Sequence, residues 1–477
     1  MVRYNKYICS LILCILTSSC SNSLLELTPE TINVVNNYFK TEEQLLKGVN
    51  GAYATLQYKG QYGLANFVFG ELPSDNTWEE VPANDNGYYG QLDEFNMTSS
   101  NTIIKDSWRH NYIGIQQCNV IINRIDAVDM NAENREQIKG EMMFLRALMY
   151  FNLVRIFGDV PLVLTETEDP NSYFGQGRTN KEQVYNAIKE DLIEAVKLLK
   201  DEAPVKERAC KAAAQALLGK VYLTLCEYDN AIPVLEAVAM NPRYDLLDDP
   251  DDIFNPDNKG NKEIIFDVQF ESGLNGDSEG NDMLRMFSPS GTINGAKGHN
   301  LPTHEVYDLF DDYDKRKTAY FKQYPQSMHY ASNKIKQTSD KVQDCGSNAI
   351  VLRYADVILM LAECYANKGT QNDLNLANIY LKRIRERAIE DLSYVNYTTK
   401  DELLKEISLE RRKELVCEGH RWFDLIRTGK AIEVMTNYFE HATGYNGVVV
   451  AEFNLVQPIP LGQIDTDPSI VQNEGYN

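Results

Sequence analysis

Apolar residues recur at helical spacing along most of this chain. The i, i+3, i+4, i+7 pattern predicts helices near 41–58, 106–126, 134–157, 181–200, 207–226, 228–240, 352–368, 373–390, 401–418 and 420–434. Thr179-Asn180-Lys181-Glu182 opens one of them with cap residues and an early acid, and Pro161 and Pro170 follow the exit at Phe157-Gly158. Strand-like patterning is confined to 263–270 and 447–455. Two stretches, 60–105 and 245–349, lack helical periodicity and are rich in Gly, Asn, Asp, Tyr and Ser. Loops of that length are uncommon in compact domains and are often functional, so the site is expected there, carried by a helical frame at about 106–240 and 350–435.

A repeat supports the frame. Leu218, Gly219 and Tyr222, followed by Ala231, Leu235 and Pro242, fit the tetratricopeptide pattern with the proline one place early. Leu361, Ala362 and Tyr365, followed by Ala377 and Leu381, form a second copy with about three extra residues. Small residues let paired helices approach, and one pair cannot bury its own apolar face, so pairs must stack.

The N-terminus changes the picture of where the chain works. Arg3 and Lys6 precede an apolar run, Tyr7 to Leu16, too short to cross a bilayer of roughly 30 Å. Small residues lead to Cys20, so 1–19 reads as a secretory signal with Cys20 as the lipid-attachment residue. The leucine expected three places before that cysteine stands one further back, at Leu16, with Thr17 in its place. The alternative is a plain secretory signal. The formal charge of −22 opposes nucleic acid and anionic lipid surfaces. The 28 tyrosines, against 3 tryptophans, supply flat apolar faces with polar tips, suited to amphiphilic ligands such as sugars. Beyond the signal, Cys118, Cys210, Cys226, Cys345, Cys364 and Cys417 show no CxxC spacing and read as small buried hydrophobes, not as disulfides or metal ligands.

Four ordered stretches carry a family resemblance. They are Leu145 to Leu162 (LRALMYFNLVRIFGDVPL), Leu352 to Glu363 (LRYADVILMLAE), Glu410 to Leu415 with Glu418 to Arg427 (ERRKEL, EGHRWFDLIR), and the tail Pro458-Ile459-Pro460 with Gln472 to Tyr476. Asp311 to Arg316 and Glu263 to Phe266 fit as well. In these the chain resembles SusD/RagB proteins. The resemblance implies a mainly α fold of tetratricopeptide-like pairs with loop-rich insertions, 20–477 forming a single such domain. It also implies a surface lipoprotein of the outer membrane that captures an oligosaccharide or other nutrient for a SusC-like TonB-dependent transporter, without covalent chemistry or cofactor.

The residues themselves leave two rivals, a tetratricopeptide module binding peptides and a glycan hydrolase. Glu410, Glu414 and Glu418 share a helix face and could mimic a catalytic or metal site. With Arg411, Arg412, Arg421 and Arg427 so near, they read instead as salt bridges and caps, as do Asp356, Glu363 and an Arg421-Asp424-Arg427 ladder. Trp108 and Trp422 read as core. The acidic stretch from Asp245 to Asp257 departs from the EF-hand spacing and reads as a solvated loop, so no metal is expected. G-x-S-x-G, P-loop and H-E-x-x-H motifs are missing. Ligand binding is assigned to aromatics beside amides and acids: Trp78, Asn84, Asp85, Tyr88 and Tyr89 in the first loop region, with Asn86 nearby, and Tyr320, Tyr324 and Tyr330, with His329, in the second. The alternative for each aromatic is packing of loop onto frame.

Overall fold

The computed structural model describes residues 39–476 apart from 170, 277 and 391; the expected signal and Cys20 lie outside the described residues. Ten helices exceed ten residues among those described: α1 (Glu42–Ala54), α2 (Thr102–Arg124), α3 (Ala132–Phe157), α4 (Lys181–Leu198), α5 (Lys211–Thr224), α6 (Tyr228–Ala239), α7 (Tyr354–Lys368), α8 (Gln371–Ala388), α9 (Lys400–Glu414) and α10 (Ala431–His441). Each helix from α1 to α8 packs on the next, and α9 folds back on α7 and α8. Asn101, Asn131, Asn180, Thr370 and Thr399 cap α2, α3, α4, α8 and α9 through side-chain oxygens that accept first-turn N–H groups. Gly158 (φ +72°) and Gly369 (φ +75°) follow α3 and α7 with backbone that other residues rarely adopt.

The apolar pattern explains the stacking. In α3 every residue from Phe144 to Val154 is buried, as suits a helix covered on all sides. Its one guanidinium there, Arg146, meets Asp191 of α4 at 2.7 Å. The repeat packs as expected: a Cβ on Gly219 would stand 2.3 Å from Leu235, so only glycine lets α5 and α6 approach this closely. Ala362, Ala377 and Leu381 are fully buried between α7 and α8.

The two excursions are less irregular than their composition predicts. The first contains the short helices Ala65–Glu71 and Tyr88–Asp93. Across both run three antiparallel ribbons, pairing β1 (Thr77–Trp78) with β3 (Leu301–Pro302), β2 (Ile264–Val268) with β6 (Ala349–Arg353), and β4 (Phe321–Gln323) with β5 (Tyr330–Ser332). The strand expected at 263–270 is β2. The one expected at 447–455 is not a strand: Val450 is buried and Val449 is 75% exposed, but among the described residues no neighbouring strand supplies a ladder, and Glu452–Leu455 forms a 3₁₀ turn. The helix expected at 420–434 is two, Arg421–Arg427 and α10, divided at Gly429 (φ +67°). Cys226 is exposed and Cys417 half-buried, both at positive φ just past a helix end, so the buried reading holds for the other four cysteines. Trp108 and Trp422 are core residues.

Candidate functional site

The site is built from the frame upward. Two acids, two arginines and their neighbours fix the segment that precedes Trp78. Glu71 accepts from the backbone N–H of Gly419 (2.9 Å) and His420 (3.1 Å) and from Asn76 Nδ2 (3.1 Å). Burial pushes its carboxyl up to about 7 against those donors. Asp75 takes the Arg421 guanidinium through both oxygens, at 2.8 and 2.9 Å. Arg412 of α9 reaches Asp75 Oδ2 at 3.0 Å and donates to Asn76 Oδ1 at 2.9 Å. Arg421 is therefore not part of a ladder with Asp424; its partner is the loop, while Asp424 joins Arg411 and Arg427.

Above this anchor β1 pairs with β3, and Thr77 Oγ1 donates to Asn300 Oδ1 at 2.6 Å. Glu80 N–H donates to Gly298 O at 3.0 Å. Gly298 has φ +78°, and a Cβ there would lie 2.1 Å from Glu80 Oε2, so the turn requires glycine. The β4–β5 hairpin lies beside β3. This arrangement brings Trp78 and Tyr330, 252 positions apart in the chain, into one half-buried aromatic surface. The Trp78 ring meets His329 edge-on at 4.9 Å, His329 lies 6.0 Å from the exposed His304, and His304 lies 5.2 Å from Tyr330. Tyr330 stacks on Tyr307 at 3.8 Å and 14°, and the exposed Met328 adjoins in sequence. Partial burial and the shared hydrogen bond with Tyr307 push the Tyr330 phenol up to about 12, so it stays a neutral donor and acceptor. Flat faces with nearby hydroxyl and imidazole groups can cover the C–H face of a sugar and bond its hydroxyls.

The other sequence-assigned residues fall elsewhere. Tyr89 is buried and stacks on His299 at 3.8 Å. His299 lies between Glu79 (2.7 Å) and Asp85 (2.8 Å), and Lys297 also meets Asp85. This buried knot ties the two excursions together. Asn84 lies in the adjoining 3₁₀ turn, and the Tyr88 carbonyl accepts from Asn101 Nδ2. Tyr320 is fully buried with its hydroxyl donating to Glu414 at 3.1 Å, and Tyr324 is buried beside Ser288. For Tyr89, Tyr320 and Tyr324 the packing alternative therefore describes what is seen, because a loop this long needs its own apolar core. Tyr307 and His304 were missed. Their signal was an aromatic pair at i, i+3 immediately behind Thr303, the cap of the short helix His304–Asp308.

The signature acids form a buried network. Glu414 meets Arg316 (3.0 Å), Arg353 (2.8 Å) and Arg387; Glu410 meets Arg316 (2.6 Å) and Arg385 (2.8 Å); Glu418 meets Arg353 (2.7 Å) and Lys334 (2.5 Å). Burial pushes the Glu414 carboxyl up, but the guanidinium groups of Arg387, Arg353 and Arg316 outweigh it and hold it well below the usual range. Carboxylates so saturated with cations have no lone pair or proton free for acid–base work. In the acidic loop Asp249 caps a 3₁₀ turn, Asp245 pairs with Arg383 and Asp251 with Lys336.

A stacked-helix frame that displays an aromatic surface on two loop excursions defines the class: a scaffolded binding protein. Comparison with known proteins then gives the family. Residues 330–476 match the SusD family model, and 24–223 match the model described as starch-binding associating with outer membrane. SusD-like protein P2 of Formosa agariphila is 27% identical over 99% of this chain and its own full length. Among solved structures, a laminarin binding SusD-like protein superposes with a TM-score of 0.78 at 27% identity, over 92% of this chain and 100% of that one. A SusD superfamily protein from Parabacteroides distasonis does so with a TM-score of 0.77 at 27% identity, over 91% and 99%. The chain belongs to the SusD/RagB family, whose members are non-catalytic glycan-binding proteins.

Proposed function

We propose that this protein captures an oligosaccharide at the cell surface on the Trp78–Tyr330 aromatic platform and hands it to a SusC-like TonB-dependent transporter in the outer membrane. The observation that carries the reading is the convergence of Trp78, His329, His304, Tyr330 and Tyr307 on one surface, drawn from both excursions and rigidly supported from below. A relative at 27% identity described as laminarin binding makes a β-glucan the first ligand to try. Attachment through a lipid on Cys20 would hold the binder beside the transporter, so modest affinity suffices because tethering raises the effective concentration. Asn84, Asp85 and Tyr88, outside the platform, remain proposed ligand contacts.

The test is binding of the purified chain to a glycan panel, laminarin oligosaccharides first. Trp78→Ala and Tyr330→Ala should each weaken retention roughly tenfold or more, as loss of a stacking contact worth about 1 kcal/mol or more plus its buried area implies. Tyr320→Phe, a change sealed in the interior, should leave it unaltered. Equal binding by all four proteins removes the platform from the site.

A further inference from the structure

A cavity of about 600 Å³ lies away from the platform where two signature stretches meet. Arg155 comes from the end of α3, and His420, Phe423 and Asp424 from the segment opening the helix Arg421–Arg427; Tyr185 of α4 and Lys220 of α5 complete the floor and wall. The volume falls in the range that holds a small organic molecule.

Lys181 and Glu182, both exposed in the first turn of α4, line it without an ion pair among the described residues; its other charges are paired with one exception. Lys189 meets Glu227 at 2.8 Å, Lys220 meets Asp356 at 3.0 Å, Arg411 meets Asp356 at 2.9 Å, and Arg427 meets Asp424 at 2.8 Å. Arg155 has no carboxylate partner among the described residues. Its guanidinium is sandwiched between the Phe151 and Phe423 rings, at 4.0 and 4.1 Å. Nε donates to the Phe151 carbonyl at 3.1 Å and Nη2 to Asn152 Oδ1 at 2.8 Å. That leaves Nη1 without a hydrogen-bond partner among the described residues and not sealed from solvent, on a side chain that lines the cavity. Beside it, burial and the Lys220 charge hold His420 down to about 3. The ring is neutral, its Nδ1 accepts from Lys220 at 3.2 Å, and Nε2 carries the proton.

A guanidinium with one open N–H edge, in a wall that also presents Val154, Leu223, Met360, Leu455 and Val456, suits an anion on a partly apolar body. We propose that this cavity is a binding site for a small organic carboxylate of about monosaccharide size, held by Arg155 Nη1 and separate from the aromatic platform. A half-buried cation without a counter-ion is costly, and the acids nearest it, Asp356 and Asp424, are already taken by Lys220, Arg411 and Arg427.

The probe is glucuronate, with glucose as its neutral counterpart and inorganic phosphate as the alternative anion, each titrated against the full chain by calorimetry. Saturable glucuronate binding at millimolar concentration, little for glucose or phosphate, and a loss of at least about tenfold in Arg155→Met are expected. Arg155→Lys, for use where the methionine variant is not folded by circular dichroism, should bind several-fold more weakly, since an ammonium cannot reproduce the stacked fork. Glucuronate and glucose binding alike, phosphate binding more tightly than glucuronate, or a folded Arg155 variant with unchanged affinity overturns the assignment. Trp78→Ala tells the two sites apart: glucuronate binding that disappears with Trp78 belongs to the platform and refutes the cavity.

Discussion

Glu414→Gln is the sharpest test of how the frame is held. The network around Glu414 contains six cations, Arg316, Lys334, Arg353, Arg385, Arg387 and Lys413, and six acids, Glu263, Asp314, Glu406, Glu410, Glu414 and Glu418, joined by contacts of 4.0 Å or less. The charges balance. Removing the Glu414 charge leaves one uncompensated guanidinium in a region where Arg316 and Arg353 are 0% and 2% exposed, and breaking a buried pair from one side costs about 3–5 kcal/mol. Unfolding entropy of ~2.1 cal/mol/K per residue gives this chain on the order of 0.9 kcal/mol/K, so the thermal midpoint should fall by about 3–5 °C. Differential scanning calorimetry reads this directly, with Glu433→Gln as the control; its pair with Lys430 is exposed and worth well under ~1 kcal/mol. A Glu414→Gln midpoint indistinguishable from the control would refute the argument that charge balance in this cluster holds α8, α9 and β6 together.

Three further outcomes follow from the same geometry. Asp75→Ala leaves Arg421 and Arg412 without their shared carboxylate, so it should lower stability by about 3 kcal/mol or more and weaken glycan retention although it touches no ligand; a variant with normal retention and a lowered midpoint would uncouple anchor from platform. Gly298→Ala places a methyl against Glu80 at positive φ and should cost about 1–3 kcal/mol, read as a shifted urea midpoint; an unchanged midpoint would show that the β1–β3 turn yields. Urea midpoints against pH should pass through a maximum. Glu410, Glu414 and Glu418 are held below their ordinary 4.5 by their cations despite burial, so their stabilisation is present above 4.5 and lost as pH falls through the lowered values. Glu71, raised to about 7 by burial, contributes fully below 4.5 and loses that contribution as pH rises through 7. Glu71→Gln should flatten the alkaline side of the curve, and an equal slope in both proteins would assign that side to other groups.

Most of the frame was legible because it rests on local rules. Helical periodicity places α2, α3, α4, α8 and α9 within a few residues, the Thr179-Asn180 cap marks the start of α4, and Gly219 announces the close approach to Leu235 that the structure contains. The misses share a cause. Strand at 447–455 was read from alternation alone, which cannot tell whether a partner strand exists, and a helix through Gly429 was read from apolar spacing that continues across a positive-φ break. In the site, Trp78 and Tyr330 were legible as residue types in long excursions. Their adjacency was not, because it is produced by β1 pairing with β3, residues more than two hundred positions apart, and by the packing of the β4–β5 hairpin beside β3. Exposure was equally hidden: Tyr320 and Tyr330 are alike in sequence context, yet one is sealed against Glu414 and the other faces solvent.

The platform owes its position to what lies beneath it. β1 is only two residues long, too short to orient a tryptophan by ladder bonds alone. The orientation comes from the buried polar run Ser74, Asp75, Asn76, Thr77 and Glu79, of which Ser74 bonds locally to the Glu71 carbonyl and the other four bond to elements distant in sequence: Asp75 to Arg421, Asn76 to Arg412, Thr77 to Asn300 and Glu79 to His299. Such groups are expensive to leave unpaired, so they fix one geometry, whereas the rings above them are half exposed and carry little of the folding energy. Substitutions on the surface can therefore change what is gripped with little effect on the frame, while substitutions one layer down must change grip and stability together. If the platform is the glycan site proposed above, that division assigns ligand preference to Trp78, His304, His329 and Tyr330, and Trp78→Ala and Asp75→Ala, three positions apart, should separate in a thermal scan while converging in a binding assay.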